Sequence, residues 1–357
     1  MHVLFAALFG FLFQTGSDSL QLRINPAPAY IEADAQRQVL NLDLLARNNY
    51  HDTLTLQSLT LRVRDGAGMP VLERFVDGNG LHPSIETMPG RVLAPGAEAL
   101  YFNPFTQFAA QVPLDTLEFE LRFGRTDGSE VAIRATVHPS STQTPLLQLP
   151  LRGRLLVYDG HDYYSHHRRF HAEDPRIREF GLEGNFMRFS YDLLLVNAAG
   201  KALPAGAAPD SMSAWFGFGA AVYAAAAGEV IALSDTAKDD RSFHVPDLHR
   251  SPLALYGNYI AVRHSDGSIA LYGHLRQGST RVHTGDRIST GQRIASVGAS
   301  GSSLMPHLHF ELRTSIGYKA EGLPSRFRNF KRLLGARSAR VSSGLIDTGD
   351  LLEAIAK

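Results

Sequence analysis

Two histidines stand two apart in the run 306–310, Pro-His-Leu-His-Phe. The run alternates like a strand, and residues i and i+2 of a strand project from the same face. His307 and His309 can therefore reach one point, as two ligands of a metal ion or as one ligand beside one group that meets substrate. A third histidine, His274, follows the strand-like run 268–272 in Leu-Tyr-Gly-His-Leu, and the stretch 160–171 adds His161, His166, His167 and His171. The chain contains no cysteine, so any metal site must use nitrogen and oxygen donors, which suits zinc held by imidazole and carboxylate. The same absence excludes disulfides, thiol nucleophiles and acylation at cysteine.

The elements that must position these histidines are short strands. Between His274 and His307, Val282, Gly285, Asp286, Gly291, Gln292, Ile294, Val297, Gly298, Gly301 and Ser303 form brief apolar runs broken by glycines, as tight turns between strands require. An ordered series of pieces is present: Gly257-Asn258, Leu271-Tyr272-Gly273-His274-Leu275, Val282 with Gly285-Asp286, Gly291-Gln292, Val297-Gly298 with Gly301, and Pro306-His307-Leu308-His309-Phe310. Across roughly 153–313 this series resembles the LytM/lysostaphin-type zinc metallopeptidases, which cut the cross-bridges and stem peptides of peptidoglycan, and residues 218–224 and 227–230 look like that family's β-hairpin entry.

In that family a histidine, an aspartate four residues later and the second histidine of His-x-His hold zinc, and the two remaining histidines act as acid, base or oxyanion stabiliser. The resemblance thus makes His309 a zinc ligand, His274 and His307 the catalytic pair, and Asp192 the liganding aspartate. The chain departs from the pattern four residues before Asp192, where Arg188 stands and has no lone pair to give. The missing ligand is expected from the upstream histidine-rich stretch, with His167 first and His166 as its alternative. The implied function is a zinc-dependent endopeptidase acting on peptidoglycan peptides in the bacterial envelope, periplasmic or extracellular. The alternative is an inactive LytM-type domain that binds or activates other wall hydrolases; a β-rich carbohydrate-binding protein would leave the histidines unexplained.

A length of 357 residues suggests two or three domains. The balance of 44% hydrophobic and 20% charged residues fits a globular chain, and a formal net charge of zero gives no electrostatic footprint for nucleic acid. Residues 3–13 are apolar throughout but fall short of the ~20 residues a spanning helix needs, so 1–19 is read as a signal peptide or N-terminal hydrophobic segment, without a stable membrane span. Alternating runs at 39–46, 54–63, 117–123 and 130–137, punctuated by Asn-Asn, Asp-Gly and Pro-Gly turns, predict an immunoglobulin-like β-sandwich over 20–139. Residues 140–152 read as a linker lying close to the next domain, because Leu146, Leu147 and Leu149 want burial. The fold class is therefore mainly β: the sandwich, then an antiparallel LytM-type metallopeptidase domain over 153–316. Residues 171–185 read as an insertion that can hold a short helix. The tail 317–357 interleaves arginines with Phe327 and Phe330; its phenylalanines are expected to pack on the preceding domain, although its charge would also suit an anionic wall or membrane surface.

Overall fold

The computed structural model describes residues 19–141 and 144–355. The apolar run 3–13 lies outside the described residues. Among the described residues, no helix is long and apolar enough to cross a membrane. The fold is mainly β.

The N-terminal region contains sheets of three, five and four strands. Leu20–Asn25, Asp43–Asn48 and Glu98–Phe102 form the first, and Leu54–Arg64, Pro70–Asp77, Thr116–Gly124 and Glu130–Val137 carry the second. Their inward side chains share one core that includes Leu44, Leu56, Leu61, Tyr101, Leu117 and Phe119. Along Leu54–Arg64 the apolar phase slips between Leu56 and Leu59, and there the pairing with Thr116–Gly124 shifts register. That irregularity keeps both halves of the strand facing inward, where an unbroken alternation would expose one of them. The run 39–46, expected as one strand, is interrupted at Asn41 and Leu42. Arg37–Leu40 pairs in the four-stranded sheet and Asp43–Asn48 in the three-stranded one. The interruption matters because Asn41, Leu42 and Asp43 meet the C-terminal region.

The C-terminal region is dominated by a twelve-stranded sheet. Its middle runs Leu351–Ala354, Arg154–Asp159, Tyr191–Leu195, Leu308–Arg313, Ile269–Gly273, Tyr259–Arg263 and Gly228–Ser234 as hydrogen-bonded neighbours. Alternation divides it into two apolar faces. Tyr191, Leu193, Leu308, Phe310 and Leu312 enter the larger core, whereas Ala261, Ile269 and Leu271 pack with Tyr256 and Phe186 on the other side. Full burial of one such side chain is worth roughly 1.5–3 kcal/mol, which fixes which way each strand faces.

Leu146–Leu147 pairs with Arg326–Leu334, and Leu147, Leu149 and Leu151 are buried in the larger core. The tail 317–357 is itself woven into the sheet. Phe327 and Phe330 are buried in that core, Leu351–Ala354 pairs with Arg154–Asp159, and two of the tail's cations meet carboxylates, Lys331 with Glu353 and Arg332 with Asp350. The expected insertion holds one short helix, Pro175–Arg178, capped by Asp174, whose carboxylate accepts the Arg176 amide at 2.9 Å.

Candidate metal centre

Sheet register assembles the first half of the site. Asp192 lies directly opposite His309, and on the far side of His309 lies Gly273. Directly opposed residues have β-carbons about 4.5–5.5 Å apart, so Asp192 and His309 are brought side by side by backbone pairing alone. His309 Nδ1 is 3.1 Å from Asp192 Oδ1. His309, Glu311 and Arg313 then follow one another on one face of Leu308–Arg313, all buried. Glu311 accepts from His309 Nε2 at 3.0 Å, from Ser190 Oγ at 2.7 Å, from Tyr256 OH at 3.0 Å and from Arg313 Nη1 at 3.0 Å. This buried carboxylate fixes the His309 tautomer: with Nε2 donating, the lone pair is left on Nδ1, facing Asp192.

The second half comes from the loop after Arg154–Asp159. His167 is buried; its Nδ1 donates to the Gly160 carbonyl at 3.0 Å and lies 3.1 Å from Asp159 Oδ2, while Nε2 faces Asp192 Oδ1 at 3.5 Å. His166 is 64% exposed at its side chain and meets Asp159 at 2.6 Å, not Asp192. Of the two histidines expected as alternatives, the structure brings His167 to Asp192 and His309. Arg188 is not in the site. It is buried and turned away, with Nη1 2.5 Å from Asp43 Oδ2 of the N-terminal region.

His274 and His307 complete the cluster. Gly273 must be glycine, since a β-carbon there would sit 2.7 Å from the Tyr256 ring, and His274 then turns the chain in the left-handed region with φ 57°. A non-glycine residue in that region is strained and needs surroundings that hold it. Here the His274 amide donates to the Tyr256 carbonyl at 3.0 Å and Nδ1 donates to the Ser300 carbonyl at 2.8 Å. The turn carrying Ser300 packs so closely that a β-carbon on Gly257 would lie 2.4 Å from the Gly301 nitrogen. His307 Nδ1 donates to the Met305 carbonyl at 2.7 Å, and its Nε2 is 3.3 Å from Asp192 Oδ1. The His274 and His307 rings have centroids 4.7 Å apart. His244 and His249 lie elsewhere, His244 exposed and paired with Asp247, His249 against Phe180.

Nitrogens of three histidines thus converge on a single oxygen, Asp192 Oδ1. Electrostatics follow from that crowding. Burial opposes ionisation of Asp192, but His307 and His167 outweigh it and hold the carboxyl well below its usual range. Burial likewise opposes the charged form of His167, yet Asp192 and Asp159 push it up to about 10 in the metal-free cluster. His274 moves the other way, driven well below the usual histidine value by burial and by His307 and His309.

A cation would relieve this arrangement. His167, Asp192 and His309 each offer a ligand atom, and those atoms lie within 4.8 Å of one another. Two imidazoles and one carboxylate, each imidazole anchored by its other nitrogen, suit a zinc ion. A second group, Asp159, His166 and His167, shares His167 and opens to solvent. The supports at Glu311, Arg313 and Asp159 were not singled out in the sequence. For the first two a clue existed, since the alternation in His-Phe-Glu-Leu-Arg aligns them with His309.

Residues 215–321 match peptidase family M23. Over that segment the chain is similar to the M23 peptidases. The matched segment contains His274, His307 and His309, while His167 and Asp192 precede it. The chain is 44% identical over 55 residues to the peptidoglycan DD-endopeptidase ShyC of Vibrio cholerae, covering 15% of this chain and 12% of that protein. It is 41% identical over 58 residues to the murein hydrolase activator EnvC of Escherichia coli, covering 16% and 13%. Each match thus spans about one eighth of the relative's length. The catalytic domain of lysostaphin from Staphylococcus simulans is similar over 37% of this chain and 73% of its own, with 21% identity and a TM-score of 0.24.

Proposed function

We propose that this M23-like domain is a zinc-dependent endopeptidase that hydrolyses peptide bonds of peptidoglycan in the bacterial envelope. The observation that carries the reading is the buried donor set of His167, Asp192 and His309 with His274 and His307 beside it. Zinc bound by that set would supply Lewis acidity and a lowered water pKa.

The chain's own residues supply the rest. His274 donates from Nδ1 to Ser300, so Nε2 carries the lone pair, and its depressed pKa keeps it neutral and able to accept a proton at neutral pH. His307 is held by Met305 with Nε2 toward the cluster, where its imidazolium form, with both ring nitrogens protonated, can donate to the carbonyl oxygen of a bound peptide as charge develops there. Asp192 orients the histidines around it, and Glu311 keeps His309 from rotating. The name of ShyC supports peptidoglycan peptides as the substrate class.

The reading as an inactive activator drew on Arg188 in a ligand's place. In the structure Arg188 pairs with Asp43, and His167 supplies an imidazole beside Asp192, so the feature behind that reading has another use. The deciding experiment is zinc content of the purified chain together with turnover of purified cell-wall peptides. Stoichiometric zinc and chelator-sensitive cleavage are expected; a zinc-loaded protein that cleaves nothing but stimulates another wall hydrolase would replace this function with the activator one.

A further inference from the structure

The two ligands on the N-terminal side of the cluster belong to segments that do not pair with each other at those positions. His167 sits in the loop after Arg154–Asp159, and Asp192 is the second residue of the strand Tyr191–Leu195. Asp159, paired opposite Asp192 and in contact with the His167 ring, and Asn185, whose Nδ2 donates to the His167 carbonyl at 3.3 Å, link them within the peptidase fold, and a side chain from the N-terminal region adds a further tie. Asp43, itself buried, sits where the N-terminal region switches from one sheet to another. Its Oδ1 accepts from Arg168, the residue after His167, and its Oδ2 accepts from Arg188 at 2.5 Å, four residues before Asp192. Both guanidinium groups are fully buried.

Neighbouring contacts repeat the pattern. The Leu42 carbonyl accepts from Arg168 Nη2 at 2.7 Å, and Asn41 Nδ2 donates to the Arg188 carbonyl at 2.9 Å. At the start of the same loop His161 Nε2 meets Glu32 Oε2 at 2.8 Å. An arginine cannot shed its proton, and a buried charge is tolerated only when paired, so Asp43, with Glu321 3.6 Å from Arg188 Nε as a second counter-charge, holds both segments in place.

We infer that Asp43 is a positioning residue of the metal centre: through Arg168 and Arg188 it sets His167 against Asp192, so the N-terminal region completes a site in which it supplies no ligand. This rests on the zinc reading above. It also accounts for Arg188, which serves as the anchor through which the N-terminal region grips the ligand-bearing strand.

The test titrates Co²⁺ alone into the metal-free full chain, reading the visible absorption of bound cobalt, with Zn²⁺ affinity taken from competition with a chelator. Parent, Asp43→Asn, Arg168→Met, His167→Ala and His309→Ala are compared. The parent should bind, and His309→Ala should not. Asp43→Asn should lose roughly 10- to 100-fold in affinity, the scale of an outer-shell support, and its cobalt band should shift away from the parent's as His167 is displaced. A purely architectural role would leave the band of folded protein unchanged. Asp43→Asn with the parent's affinity and band overturns the inference while leaving the zinc reading intact; a parent that binds neither ion overturns both. Should Asp43→Asn fail to fold, Arg168→Met decides by the same two measures, because it leaves Asp43 paired with Arg188.

Discussion

His309 reaches Asp192 from the neighbouring strand, whereas His167 reaches it from a loop. On the strand side the distance follows from register, and the supporting Glu311 and Arg313 lie on the same strand and face. On the loop side the supports come from elsewhere: Gly160 and Asp159 hold the ring, and Asp43 and Glu32 of the N-terminal region hold the loop. One histidine is therefore placed by strand register and the other by side-chain contacts within a loop and from the N-terminal region. The strand side should tolerate disturbance of the N-terminal region, and the loop side should not.

Removing either ligand should abolish the comparison altogether. His309→Ala and His167→Ala are each expected to lose zinc and lower peptide hydrolysis by well over about 100-fold, more than the loss of a mere outer support; metal analysis and turnover together check this. A His167→Ala protein that keeps zinc and rate would remove the loop from the site. His274→Ala should separate chemistry from metal binding, with rate falling by about 10²–10⁴-fold while zinc content stays at the parent level. Loss of zinc along with rate would make His274 part of the metal's hold instead.

Smaller effects sharpen the contrast. Glu311→Gln should weaken zinc by roughly 10- to 100-fold from the strand side, since a carboxamide can offer Nε2 a poorer acceptor and also presents a donor; chelator competition measures it, and parent affinity would count against the tautomer argument. The smallest is a pH effect on the loop side. Burial would lower the pKa of His161, but Glu32 outweighs it and the net shift is upward. Because the folded value lies above the unfolded one near 6.5, this pair stabilises fully below about pH 6.5 and less as pH rises through the folded value. Thermal unfolding of parent and Glu32→Gln should therefore differ most just below about pH 6.5, where His161 is charged and a carboxylate is still ionised, and converge as pH rises. A gap that widens as pH rises from there would contradict that sign.

The contrast also explains what could be read in the sequence. His307, His309 and the strand edge at His274 were legible because alternation and glycine-bounded turns are local, and the resemblance supplied Asp192. His167 could be narrowed to a histidine-rich loop but not separated from His166 by pattern, since the choice depends on which ring the Gly160 carbonyl and Asp159 turn inward. Nothing local marks Asp43: it follows Leu42 in a run that reads as one alternating strand, and only the switch between sheets points it at two arginines more than a hundred residues away. The tail's phenylalanines were expected to pack, and their hairpin partner Arg337–Gly344 is local, but the pairings of Phe327 with Leu147 and of Leu351–Ala354 with Arg154–Asp159 are distant and carry no sequence mark.

The position of Leu351–Ala354 has a consequence for biosynthesis. It is the neighbour of Arg154–Asp159, the strand that leads into the His167 loop, although nearly two hundred residues separate them. A nascent chain lacking these last strand residues leaves one edge of that strand unpaired, and long-range pairings of this kind form late. Assembly of the histidine cluster is thereby coupled to completion of the sheet, so a ribosome-bound or truncated product would carry most of the histidines without their finished arrangement.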